Sequence, residues 1–84
     1  MGGRPTRVTN SIRALRFARD EMTQAQLAEQ VGVTRQTVIA IEQGRYSPSL
    51  ETAFLIARAL RAPLDEVFHY PDEDAAAPDE RSPR

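Results

Sequence analysis

Two threonines, Thr23 and Thr34, each stand at the head of a helix-forming stretch, and a single glycine, Gly32, breaks the chain between them. Thr23 is a helix N-cap, and Gln26, three residues on, completes a capping box. Met22 before the cap and Leu27 inside the helix form a hydrophobic staple. Leu27, Ala28 and Val31 mark one inner face, which predicts a helix over 24–31 that Gly32 ends in the left-handed conformation. Thr34 caps the next helix, Val33 and Val38 repeat the staple, and Gly44 ends it. The link from Gly32 to Thr34 is too short to let the two helices lie antiparallel side by side. It holds them at a steep angle, as a helix-turn-helix from Thr23 to Gln43.

The rest of the chain supplies helices to pack around this pair. A first helix is expected from about Asn10 to Arg19, capped by Asn10 or Thr9, with Ile12 and Leu15 facing inward. Phe17 falls away from that face and has no clear place. Ser49 caps a fourth helix running to about Leu60. Its residues are apolar nearly all round, which predicts a central, buried element. Leu64, Val67 and Phe68 form a short fifth helix after Pro63. The expected fold class is therefore all-α, with one domain over residues 9–70. Residues 1–8 read as a flexible basic arm, and residues 71–84, with three prolines among acids and alanines, as an acidic disordered tail.

Charge divides along the same lines. Residues 1–70 hold nine arginines against seven acids, and residues 71–84 hold two against five, so +2 and −3 give the net −1. The acidic tail thus hides a mildly basic body. Every basic residue is arginine, which suits bidentate contacts to phosphate and guanine; a GC-rich genome accounts for the same bias. Hydrophobic residues are 40% of the chain and charged residues 27%, ordinary for a globular domain. No apolar run approaches the roughly 20 residues that span a bilayer, and the N-terminus lacks an apolar signal region, so a cytoplasmic protein is expected. There is no cysteine and one histidine, His69, so disulfides are excluded and neither a metal nor a cofactor is expected.

On a wheel of about 100° per residue, the helix after Thr34 puts Thr37, Val38 and Ile41 on its core side. Arg35, Gln36, Ile39, Ala40 and Gln43 fall on the other side, with Glu42 at the rim. A solvated face would favour Glu and Lys. This face instead suits DNA: Arg pairs bidentately with guanine, Gln pairs with adenine, and Ile and Ala touch thymine methyls. Ile39 is also readable as one isolated exposed apolar residue. The two helix starts, at Thr23/Gln24 and Thr34/Arg35, favour phosphate.

From Met22 the chain reads MTQAQLAEQVGVTRQTVIAIEQGRYSPSL, and LDEVF follows the fourth helix. This ordered series resembles the Cro and phage-repressor class of helix-turn-helix proteins, the XRE family, over roughly Asn10 to Phe68. The resemblance implies a compact five-helix, lambda-repressor-like DNA-binding domain with its helix-turn-helix at helices 2 and 3. It puts base contacts on Arg35, Gln36 and Ala40, with Ile39 adjacent, in the major groove. It puts phosphate contacts on Gln24 and on the loop residues Arg45, Tyr46 and Ser47; Thr34 and Thr37, beside the second helix start, are further candidate phosphate contacts. Arg16 and Glu42 match a structural salt bridge tying the first helix to the third. The link from Arg16 to Thr23 is about one residue longer than the commonest family pattern. Ala40 is a weak reader, so DNA shape shares the specificity. Leu55 sits where relatives often carry a charge, in an outer stripe with Glu51 and Arg58. It suggests a dimer contact; the alternative is that it packs under the C-terminal segment, against His69 or Tyr70.

The resulting expectation is a bacterial transcriptional regulator, a repressor that binds a palindromic operator as a homodimer. The competing expectation is an antitoxin-like or bridging protein-interaction module, with the acidic tail engaging a protein partner. An enzyme is the weakest reading, since no nucleophile–base set and no Gly-rich phosphate loop occur.

Overall fold

The computed structural model describes residues 6–71 of the 84. In chain order the elements are β1 (Thr9–Asn10), α1 (Ile12–Ala18), α2 (Gln24–Val31), α3 (Arg35–Glu42), α4 (Leu50–Leu60), α5 (Leu64–Val67) and β2 (Phe68–His69). The five helices surround a core in which Ile12, Leu27, Val38, Ile41, Ile56, Leu60 and Val67 are fully buried.

The starts of α2 and α3 lie where the cap chemistry places them. Thr23 has extended backbone; its hydroxyl accepts the Gln26 N–H at 3.0 Å, and its own N–H donates to Gln26 Oε1 at 2.8 Å. Gly32 ends α2 at φ 86°, with its N–H on the Ala28 carbonyl. Thr34 accepts the Thr37 N–H at 3.1 Å. Gly44, at φ 73°, closes the end of α3. There the Arg45 N–H reaches back to the Ala40 carbonyl at 2.9 Å.

The all-α, five-helix fold is the one expected, and two details need correction. The first is the start of α1, because β1 pairs antiparallel with β2, Thr9 opposite His69 and Asn10 opposite Phe68. This ribbon closes the two ends of the domain on each other and takes Asn10 out of α1. Ser11 precedes that helix without a side-chain cap bond, and Asn10 Oδ1 accepts the Ile12 N–H instead. Asn10 also donates through Nδ2 at 2.9 Å to the Ile41 carbonyl at the end of α3, which accepts the Gly44 N–H at 3.0 Å as well.

α4 is not buried all round. Ala53, Ile56, Ala57 and Leu60 face the core, whereas Leu50, Phe54 and Leu55 are exposed. Leu55 is the least exposed of the three, at 37%, and the His69 ring nitrogen lies 3.2 Å from the Glu66 carbonyl. α4 ends at Arg61, which takes the left-handed conformation at φ 56° without being glycine.

Of the expected arm, residues 6–8 are held to the domain. Thr6 Oγ1 accepts both the Val8 N–H and the Ser47 hydroxyl at 3.1 Å. Residues 1–5, and the acidic tail beyond Pro71 with its suggested protein partner, lie outside the described residues. Among the described residues no helix is long and apolar enough to cross a membrane.

Candidate nucleic-acid interface

α3 sorts its side chains much as its periodicity suggests. Val38 and Ile41 are buried, Ile39, Ala40 and Thr37 are half-buried, and Arg35, Gln36 and Gln43 are exposed. Thr37 is tied to the cap, its hydroxyl 3.0 Å from that of Thr34.

A small polar network fixes α3 against α1 and α2. Arg16, on α1, is 7% exposed. Its Nε donates to Glu42 Oε2 at 2.7 Å, its Nη2 to Glu42 Oε1 at 3.2 Å, and its Nη1 to the Met22 carbonyl at 2.8 Å. Gln24, in the first turn of α2, donates through Nε2 to Glu42 Oε1 at 3.1 Å. Glu42 thus holds three helices in one register. The fork geometry of the guanidinium and the low local dielectric make these contacts strong. Three of the five Arg16 N–H groups are engaged in this way, and the residue also lines the depression beside α3.

The link from α1 to α2 is shaped by the same network. Asp20 and Glu21 are both left-handed, at φ 65° and 57°. Each such residue costs about 1–2 kcal/mol. The turn is held by the Glu21 N–H on the Phe17 carbonyl and the Met22 N–H on the Arg16 carbonyl.

Beside α3 lies an open depression of about 1070 Å³, lined by Arg13, Phe17, Gln24, Arg35, Glu42 and Gln43 among others. Two of its walls were not foreseen from the sequence. Arg13 and Phe17, one turn apart on α1, face it; Phe17 is 53% exposed, with the Arg13 guanidinium carbon 5.7 Å from its ring centroid. Their spacing at i and i+4, away from the inward face of Ile12 and Leu15, was the available signal. Gln36, Ile39 and Ala40 do not line this depression but project from α3 beside it. Arg45, Tyr46 and Ser47 are exposed in the loop after α3, away from the depression, where Ser47 is bonded to Thr6.

A family model described as helix-turn-helix matches residues 12–67, most of the chain. The chain belongs to the XRE-type helix-turn-helix family. A protein of Methanothermobacter thermautotrophicus, named as an uncharacterized HTH-type transcriptional regulator, is 61% identical over 56 residues, covering 66% of this chain and 80% of that protein. The HTH-type transcriptional regulator YgzD of Bacillus subtilis, also named as uncharacterized, is 46% identical over 65 residues, 77% of this chain and 97% of that one. The cryptic phage CTXphi transcriptional repressor RstR of Vibrio cholerae is 37% identical over 70% of this chain, which spans about half of that repressor's length (52%). The fold also matches a crystal structure of a putative DNA-binding protein from Bacteroides fragilis with a TM-score of 0.65. That match has 24% identity and covers 74% of this chain and 98% of that one. This member of the family carries the DNA-binding domain of a transcriptional regulator, on a mostly helical, five-helix fold.

Proposed function

We propose that this regulator is a sequence-specific repressor that occupies a palindromic operator as a homodimer, with α3 in the major groove. The observation that carries the reading is the state of Arg35 and Gln36. Both are exposed on the first turn of a helix whose other side is locked into the core, and among the described residues neither side chain has a hydrogen-bonding partner. Arg35 is free to pair with guanine and Gln36 with adenine, while the half-buried Ile39 and Ala40 offer apolar contact to thymine methyls. Ala40 keeps the helix low against the bases, and DNA shape contributes the rest of the specificity.

Phosphate contacts fall on both sides of α3. Gln24 spends one N–H on Glu42 and keeps its other N–H for a phosphate oxygen. Thr34 and Thr37 share a hydroxyl pair that exchanges its internal bond for a phosphate. Arg45, Tyr46 and Ser47 follow the backbone on the far side. Two half-sites about one helical turn, roughly 34 Å, apart accommodate two copies related by a two-fold axis.

Selection of bound DNA from a random pool tests this reading. The full chain is expected to enrich a two-fold symmetric consensus. Arg35→Ala is expected to lose preference at one base pair in each half-site, costing on the order of 1–3 kcal/mol. Selection of no consensus, or an unchanged one with Arg35→Ala, would sink it.

A further inference from the structure

The outer face of α4 is left bare by the fold. Its core-facing residues, Ala53, Ile56, Ala57 and Leu60, occupy one side. On a wheel of 100° per residue, Glu51 and Arg58 lie along the middle of the side roughly opposite, with Phe54 and Leu55 flanking that line symmetrically. Leu50 is 67% exposed, Phe54 50% and Leu55 37%. Among the described residues Arg16–Glu42 is the one ion pair, so neither Glu51 nor Arg58 has a counter-charge. Seven positions apart, they stand about 10 Å from each other along the helix and cannot pair within one chain.

We propose that this face is a self-association surface, occupied by α4 of a second copy lying antiparallel across a two-fold axis that passes between Phe54 and Leu55. Charge complementarity selects both the occupant and its direction. About the midpoint between Phe54 and Leu55, the acid lies as far to one side as the arginine lies to the other. An antiparallel copy therefore sets Glu51 against the second copy's Arg58, and Arg58 against its Glu51. A parallel copy sets acid against acid and arginine against arginine. On the two flanks of the antiparallel seam, Phe54 meets Phe54 and Leu55 meets Leu55, and Leu50 extends the Phe54 flank. The face is thus complementary to itself, which is what an isologous interface requires. This inference rests on the homodimer reading above and gives it a surface and a register. One helix per subunit buries less than the roughly 1,200 Å² of a standard interface. Association of the free protein is accordingly weak and concentration-dependent.

The chain has no cysteine, so single cysteines report the register cleanly. In the full chain without DNA, Leu55→Cys is expected to cross-link under mild oxidation at high protein concentration. Glu51→Cys is expected not to, because its two copies stand about 10 Å apart along the seam. Sedimentation equilibrium tests the charges. Glu51→Arg or Arg58→Glu alone is expected to weaken self-association about tenfold, and the double exchange to restore it to within about threefold. All three positions are exposed, and circular dichroism checks that each variant keeps its helices. Equal cross-linking at positions 51 and 55 overturns the proposal, as does failure of the double exchange to rescue. So do single reversals without effect, or a chain that stays monomeric at about 1 mM. A palindromic consensus from DNA selection together with inert charge reversals overturns this surface alone. Charge rescue without any selected DNA supports the surface and removes the operator reading instead.

Discussion

Glu42 is the residue on which the placement of α3 depends most. Its carboxylate accepts two bonds from Arg16 and one from Gln24, so one side chain joins α1, α2 and α3. Glu42→Ala leaves the Arg16 guanidinium buried without its counter-charge. It is expected to cost about 3–5 kcal/mol in a urea titration, a large part of what a domain of this size has. Gln24→Ala, which removes one neutral donor at a half-exposed site, is expected to cost about 0.5–1.5 kcal/mol. Equal losses would mean that the buried charge is not what makes Glu42 matter. The pairing of Arg16 with Glu42 was legible only through resemblance to a family, because nothing local connects residues 26 positions apart. Arg13 and Phe17 were not legible as sharing a depression with Arg35, since that depression exists only once α1, α2 and α3 have packed together.

Among the elements, the helices with side-chain caps were placed best. The capping box at Thr23 and the cap at Thr34 act within a few residues, so their chemistry is complete before any packing occurs. Thr23→Ala is expected to lower stability by about 1 kcal/mol. Ser11→Ala, at a helix start where the side chain makes no cap bond, is expected to fall within about 0.5 kcal/mol of the parent. Thermal unfolding of the two variants side by side checks the contrast; equal shifts would refute it. The start of α1 was misplaced because Asn10 looks like a cap locally but is committed to β1, whose partner β2 lies at the other end of the domain. α4 was read as buried because apolar residues fill its circumference, yet the domain is too small to cover more than one side of it.

For the whole molecule, charge decides how DNA is met. The basic body faces a polyanion while the net charge of the chain stays at −1. Binding is expected to weaken steeply with salt, since each neutralised phosphate releases counterions. Arg45→Ala is expected to lower the slope of log K against log salt by about 1 and to weaken all sequences alike, while Arg35→Ala changes base preference. A salt titration on selected and random DNA separates the two. If Arg45→Ala left the slope unchanged, the loop after α3 would not follow the backbone.

What the sequence alone determined was whatever one turn of chain can settle: the starts of α2, α3 and α4, the glycine ends of α2 and α3, and the outward set Arg35, Gln36 and Gln43. Cap hydrogen bonds, left-handed glycines and the 3.6-residue period are local, and they act the same way in any fold. Tertiary structure alone decided which apolar residues are covered and which distant groups meet. It closed the ends of the domain with a ribbon, brought Arg16 and Gln24 onto Glu42, and left Phe17, Phe54 and Leu55 at the surface. Burial belongs to the shape of the whole domain, and a small one has too little interior for every apolar side chain it carries.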